Sequence, residues 1–289
     1  MDRFQTVEIR EKDSPGANFL YHTAPGRCLL HLLIRPGVSR AAGWFLDRSV
    51  SRHLVSPFVR ATGLSLEDYE KGPYPSFNSF FTRRVLPGRR TIGENPEELI
   101  APCDGKLTAY PITEDAVFRI KYSDYSVEAL LEDKALAETF RGGICLIFRL
   151  TPDDFHRYCF PDDGQLLVSR FIPGVLHTVR PIAFERYPVY LRNSREYALL
   201  ETAHFGKMLQ MEVGALFVGR IVNHPVTGPF ARGQEKGMFE FGGSTVILLL
   251  EPGKALVDEV FFENTRSGKE TIVKMGTRLG IRDLGQNRN

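Results

Sequence analysis

The chain lacks any stretch near the roughly 20 apolar residues that a bilayer-spanning helix needs, so no transmembrane helix is expected. Its opening residues, MDRFQTVEIREKD, are charged and hold no apolar h-region, which argues against a secretory signal. The four cysteines (Cys28, Cys103, Cys145, Cys159) show no CxxC spacing. In a chain of 289 residues, too long to need stapling, they read as free thiols in a reducing compartment. Net charge is only +2, which gives no whole-molecule case for nucleic acid, and none is expected as a partner. Internal repeats and low-complexity tracts are absent, and tryptophan occurs once.

What is present changes character near residue 75. Residues 27–63 carry six arginines and a single acid, Asp47, together with the only tryptophan in the cluster Trp44-Phe45-Leu46. Apolar positions recur at helical spacing (Ala42, Phe45, Leu46, then Val50 and Leu54), with Arg48 and Arg52 four apart on another face. Ser56-Pro57 reads as a cap and first residue of a second short helix, and Ser65 to Asp68 as a capping box for a third. A basic amphipathic segment with an aromatic anchor can lie on an anionic membrane. By itself it reads more simply as a helical hairpin packed on the rest of the protein, its arginines solvated.

From about residue 99 short Ile/Val/Phe/Leu runs are broken by Gly, Pro and Asp: GGICLIFRL, LLVSRFIPGVL, YPVYL, MEVGALFVGRIV and STVILLL. Glu128–Thr139 is the one good helix candidate among them. The expected class is α+β, a β-rich core over 76–289 preceded by an amphipathic helical segment over 1–75.

Four stretches hold residues fit for chemistry. Asp104-Gly105 is foremost a tight-turn pair, although an aspartate at a strand end is well placed to orient a histidine. Thr151–Pro161 packs acid, His156, arginine and Cys159 after an apolar strand. As metal ligands His156 and Cys159 lack two partners at any recognisable spacing, so no metal is expected, and His156 stands as an acid/base group. His177 lies in an apolar run, where a hydrogen-bonded structural role is the default. Gly242-Gly243-Ser244-Thr245 is the fourth. Glycines before a serine free the backbone, and a serine Oγ over the preceding carbonyl, with a base nearby, can convert that peptide to an ester. Elimination then gives dehydroalanine, which hydrolyses to a pyruvoyl group and ammonia. By itself such a tetrapeptide is usually a hairpin turn.

Taken in order, SFNSFFTRRVLPGRRTI (76–92), APCDGKL (101–107), DDFHRYC (153–159), IPGVLHTV (172–179), VGALFVGRIVN (213–223), KGMFEFGGSTVILLL (236–250) and VKMGTRLG (273–280) resemble the phosphatidylserine decarboxylases, pyruvoyl-dependent enzymes. The Gly-Gly-Ser-Thr and His-Arg-Tyr-Cys variants are similar to the branch often called type II; the family's usual Leu-Gly-Ser-Thr has Gly242 here in place of leucine.

The resemblance implies self-cleavage between Gly243 and Ser244 into a β chain of 1–243 and an α chain of 244–289, with Ser244 becoming the covalent pyruvoyl cofactor. It also implies a processing triad in which Asp104 and Ser244 match directly. Many members carry His-Arg-x-His, the second histidine serving processing and the first decarboxylation. Here the second position is Cys159, so either His156 serves both steps or another histidine such as His177 substitutes; His156 is preferred.

The implied reaction joins the amine of phosphatidylserine to the pyruvoyl carbonyl as a Schiff base, releases CO2 and yields phosphatidylethanolamine. A lipid substrate turns the 1–75 segment into an expected membrane-associating element. Arg27, Arg35, Arg48 and Arg52 are then candidates for anionic-lipid contact, at the cytoplasmic face of the cell membrane. The cleaved chains are expected to remain together, and a homodimer is left open. Two rivals stay open, a β-rich scaffold that never self-cleaves and a pyruvoyl decarboxylase of a soluble amino acid. A serine hydrolase is disfavoured because Ser244 lacks a Gly-x-Ser-x-Gly elbow.

Overall fold

The computed structural model describes residues 4–9, 14–120, 123–216, 220–242 and 244–285. Gly243, one side of the expected cleavage bond, lies outside the described residues, as do 217–219 of the VGALFVGRIVN stretch.

The apolar runs become an eight-stranded antiparallel sheet. Its spatial order is Thr6–Glu8, Lys269–Val273, Gly105–Pro111, Ile144–Leu150, Ser244–Leu250, Gly206–Val213, Arg195–Thr202 and Gly164–Ile172. Ser244–Leu250 is central, pairing with Ile144–Leu150 on one side and Gly206–Val213 on the other. All seven of its residues are buried, which is why 246–250 reads as an unbroken apolar run and not as an alternating one.

A three-stranded sheet, Ile221–Asn223, Glu235–Phe239 and Arg157–Cys159, is tied to this sheet by side chains: Asn223 and Lys236 both donate to Glu212 of the Gly206–Val213 strand. A second three-stranded sheet joins Ala255–Val257, Arg278–Arg282 and Glu98–Ile100, and Val117–Ile120 pairs with Ser123–Ser126. The α+β class with a β-rich core and an amino-terminal helical segment holds. The first described strand, Thr6–Glu8, nevertheless belongs to the core sheet.

The helices run Pro15–His22, Ala24–Leu33, Pro36–Leu46 and Val55–Thr62, with a 3-10 helix at Ser49–Leu54. Among the described residues no helix is long and apolar enough to cross a membrane. Several local expectations are corrected. Val55–Thr62 follows directly from the 3-10 helix, so Ser56 is inside it and not its cap. Ser65 to Asp68 forms a turn, because the following segment pairs with the chain at 84–86: Glu70 N–H donates to the Arg84 carbonyl and Leu86 N–H to that of Asp68. The expected helix at Glu128–Thr139 is two, Val127–Leu131 and Lys134–Glu138, broken where Glu132 turns left-handed at φ 50°. Tyr187–Leu191, read as strand, closes into helix Val189–Arg192 behind Pro188, and Arg195 takes the Leu191 carbonyl at 2.8 Å.

Besides the main core there is a second apolar cluster of Leu46, Phe77, Phe80 and Phe81, with Phe58, Tyr74 and Phe241 packed against it. Ser76 caps the short helix Phe77–Phe81 by accepting from Ser79 N–H at 3.1 Å. This cluster joins the amino-terminal helices to the stretch just before Ser244.

Candidate active site

Ser244 opens the central strand opposite Leu150. It is fully buried, and among the described residues its Oγ has no hydrogen-bond partner. Two residues earlier Gly242 sits at φ 137°, a conformation that side chains disfavour, so glycine is required there. The turn preceding it is pinned by backbone: Phe239 N–H donates to the His156 carbonyl at 2.9 Å and Glu240 N–H to Arg220 at 3.0 Å. The sheet therefore brings His156, distant in sequence, to the stretch that leads into Ser244.

His156 is fully buried, its ring 4.1 Å from that of Phe81, which itself packs on Phe241 at 5.2 Å. Its Nδ1 lies 3.0 Å from the Asp154 carbonyl oxygen. That oxygen can only accept, so the neutral ring carries its proton on Nδ1 and its lone pair on Nε2. Nε2 has no partner. Burial pushes the imidazole down to about 3, with the Asp154 carbonyl opposing, the Arg83 charge acting in the same sense as burial, and the Gly242 backbone close enough to oppose it slightly. The ring is thus neutral at physiological pH and can accept a proton at Nε2.

Asp104 is also buried, but its carboxylate is taken by a residue absent from the sequence-based site. Arg90 forks onto it, Nε to Oδ1 at 2.7 Å and Nη2 to Oδ2 at 2.5 Å, and Met275 N–H adds a bond at 2.9 Å. Lys106 pairs with Arg149, and Arg149 with Thr245. Asp104 and Ser244 therefore stand at the same end of the sheet, two strands or roughly 10 Å apart. Among the described residues no hydrogen bond links Asp104 to His156.

The other sequence candidates, His177 and Cys159, have surroundings of their own. His177 is held in an aromatic niche, its ring stacked on Tyr187 at 4.2 Å and its Nδ1 3.5 Å from the Tyr21 hydroxyl, while its N–H donates to Asn193. Burial, with Arg192 and His31 nearby, pushes it down to about 4. Its ring meets Tyr21 of the amino-terminal helix Pro15–His22, and among the described residues no hydrogen bond links it to Ser244. Cys159 is a buried free thiol, pushed up to about 12 by burial, and so is a poor base near neutrality. A cavity of 180 Å³ lies beside it, lined by Phe155, Arg157, Tyr158 and Met275 among others.

Arg90 was hard to foresee. It lies in a loop fourteen positions before Asp104, and the only hint is that a buried carboxylate needs a cation. Arg83 was missed as well. It is 2 % exposed, stacks on Tyr69 at 4.2 Å, donates to the Asp153 and Asp154 carbonyls at 3.4 Å, and supplies the positive charge beside His156.

Of the thirteen exposed large apolar side chains among the described residues, seven fall between Phe19 and Leu54, Trp44 being 62 % exposed. Arg48 does not occupy a separate face; its guanidinium lies 4.4 Å over the Trp44 ring.

The β-rich core thus sets a buried serine at the head of its central strand, behind a glycine turn whose Gly242 backbone lies close to the neutral His156 ring. The family model for phosphatidylserine decarboxylase matches residues 77–281, and the chain belongs to that family of enzymes. It is 46 % identical over 263 residues to phosphatidylserine decarboxylase proenzyme 2 of Clostridium acetobutylicum, covering 91 % of this chain and 90 % of the relative. It is 39 % identical to the proenzyme of Desulfitobacterium hafniense (92 % and 91 % covered) and 36 % identical to that of Ruminiclostridium cellulolyticum (91 % and 90 %).

Proposed function

We propose that the chain is a precursor that cuts itself between Gly243 and Ser244, and that the resulting protein converts phosphatidylserine to phosphatidylethanolamine and CO2. The observation that carries this reading is the pair of buried, unpartnered atoms, Ser244 Oγ and His156 Nε2, at the end of a glycine turn. A buried hydroxyl left without a partner costs about 1–3 kcal/mol and persists where function needs it. The proenzyme names of the relatives fit a chain made as a precursor.

In this reading His156 Nε2 takes the Ser244 hydroxyl proton as Oγ attacks the Gly243 carbonyl. His156 hands that proton to the peptide nitrogen, the C–N bond breaks to free an amine, and the chain is joined through an ester. Loss of the Ser244 α-proton breaks the ester, leaving Gly243 as a carboxylate terminus. The dehydroalanine at 244 takes up water and releases ammonia, and a pyruvoyl group heads the second chain. Asp104, tied to Arg90 and the Met275 amide, supports the same end of the sheet.

The serine-derived pyruvoyl group fits the site, since it occupies the place of Ser244 itself. When formed it supplies a carbonyl that takes up the substrate amine and the electron pair left by CO2. His156 takes up at Nε2 the proton that the substrate ammonium releases as its amine is bound, and then returns that proton to the substrate carbon. The phenyl wall of Phe77, Phe81 and Phe241 keeps water from that ring. The exposed Trp44, Phe45, Val50 and Leu54, with Arg35, Arg48 and Arg52 exposed near them, bring the site to an anionic bilayer. Arg27, half-buried, supports this basic face.

The test is CO2 release from phosphatidylserine vesicles. The wild-type protein should produce it and Ser244→Ala should not. Turnover of free serine in place of the vesicle lipid would sink the substrate assignment.

A further inference from the structure

Glycine has the widest backbone freedom of any residue, so attack at the peptide before Ser244 calls for something that fixes the turn. On the far side the central strand does so. On the near side, among the described residues, three partners hold backbone N–H groups, two of them the backbone carbonyls already described, at Phe239 and Glu240. The third is a side chain: Phe241 N–H donates to the Asn78 amide oxygen at 3.3 Å.

Asn78 is 4 % exposed, and its other end is equally committed. Its Nδ2 donates to Asp47 Oδ1 at 2.8 Å and reaches the Gly43 carbonyl at 3.4 Å. The orientation of the amide is forced, because a carboxylate only accepts and a backbone N–H only donates. Gly43 and Asp47 form the end of helix Pro36–Leu46, the helix that carries Trp44 and Phe45 on its outer side. Arg220, paired with Glu240 at 2.7 Å, lies near Asp47 as well. The residue next to the glycines is therefore bolted to the end of the helix with the exposed aromatics.

We propose that Asn78 is a positioning residue for self-cleavage, clamping Phe241, and through it the glycines before Ser244, to the end of helix Pro36–Leu46. This rests on the processing at Ser244 proposed above. The clamp acts by restricting glycine backbone freedom, which is larger than that of any other residue, so that the attacked carbonyl spends more time within reach of Ser244 Oγ. Loss of one neutral hydrogen bond of this kind should slow cleavage roughly threefold to tenfold.

The experiment follows cleavage of freshly synthesised precursor by mass over time, for wild type, Asn78→Ala, Asp47→Ala and Ser51→Ala. Ser51 Oγ accepts from Phe77 N–H and donates to the Leu46 carbonyl, so its loss loosens the same cluster without touching Phe241. Thermal midpoints are measured for the same substitutions in a Ser244→Ala background, where no cleavage can occur. The clamp predicts threefold to tenfold slowing in Asn78→Ala, a smaller slowing in the exposed Asp47→Ala, and no slowing in Ser51→Ala at a similar loss of midpoint. Asp47→Ala keeps the test valid if Asn78→Ala fails to fold.

Equal rates in wild type and both clamp variants would overturn the proposal, as would equal slowing by Ser51→Ala. A wild-type chain that never cleaves would overturn the Ser244 reading and this one with it, whereas wild-type cleavage with unaffected variants would overturn only the clamp.

Discussion

Acid should unfold this protein in a way that reports directly on His156. In the folded chain burial holds the ring near 3, whereas in the unfolded chain it titrates near about 6.5. Between those values the unfolded state binds a proton that the folded state refuses. The sign follows: the contribution to stability is complete above about pH 6.5 and is lost as pH falls towards 3. Going from pH 7 to pH 5 crosses roughly 1.5 pH units of that window, which amounts to about 2 kcal/mol.

The assay is urea unfolding at pH 7 and pH 5 of the Ser244→Ala protein, a single chain, with and without His156→Gln. The glutamine cannot titrate, and every other ionisable group, His177 included, is common to both proteins. The histidine protein should lose about 2 kcal/mol more than the glutamine one over this interval. Parallel losses, within about 0.5 kcal/mol, would refute a buried neutral His156 and with it the base assigned to Ser244.

The same neutrality predicts that the self-cleavage rate shows no fall through pH 6.5 on going from pH 8 to pH 6; an inflection there would mean that the ring titrates in the open. Arg90→Met should leave the buried Asp104 carboxylate with only the Met275 N–H and the more distant Lys274 ammonium and cost about 3 kcal/mol, measured as unfolding free energy in the Ser244→Ala background; a loss under about 1 kcal/mol would show that Asp104 does not depend on Arg90. Replacing Arg48 and Arg52 by glutamate should weaken binding to anionic vesicles more than tenfold, at about 1 kcal/mol per basic residue at the surface, while cleavage at Ser244 proceeds; unchanged binding would retire the helical face as a membrane contact.

How much was legible depended on whether a residue's role was local. The strand Ser244–Leu250 was readable because a strand buried on both faces leaves an unbroken apolar run, and the glycines before it marked a special turn. His156 was readable as a titratable group following an apolar strand, but the reason it stays neutral was not, since Phe81 and Arg83 reach it from about 75 positions away.

Asp104 is legible as an aspartate at a strand end, yet its burial and its partner Arg90, which sits in an irregular loop with no periodicity to reveal it, are not. Asn78 and Phe241 meet across 163 positions, and only folding puts them together. Tyr187–Leu191 misled because aromatic and β-branched residues look like a strand, while Pro188 and the Arg195 guanidinium close the turn into a helix. Arg48 was assigned to a face of its own by helical spacing alone, but its long side chain folds back over Trp44.

The most direct test of the account is the intact mass of freshly purified protein under denaturing conditions. Two chains divided between Gly243 and Ser244 are predicted, the smaller lighter than a free-serine amino terminus requires by the difference between a serine and a pyruvoyl group. A single unmodified chain of 289 residues that persists in the presence of anionic vesicles would contradict it.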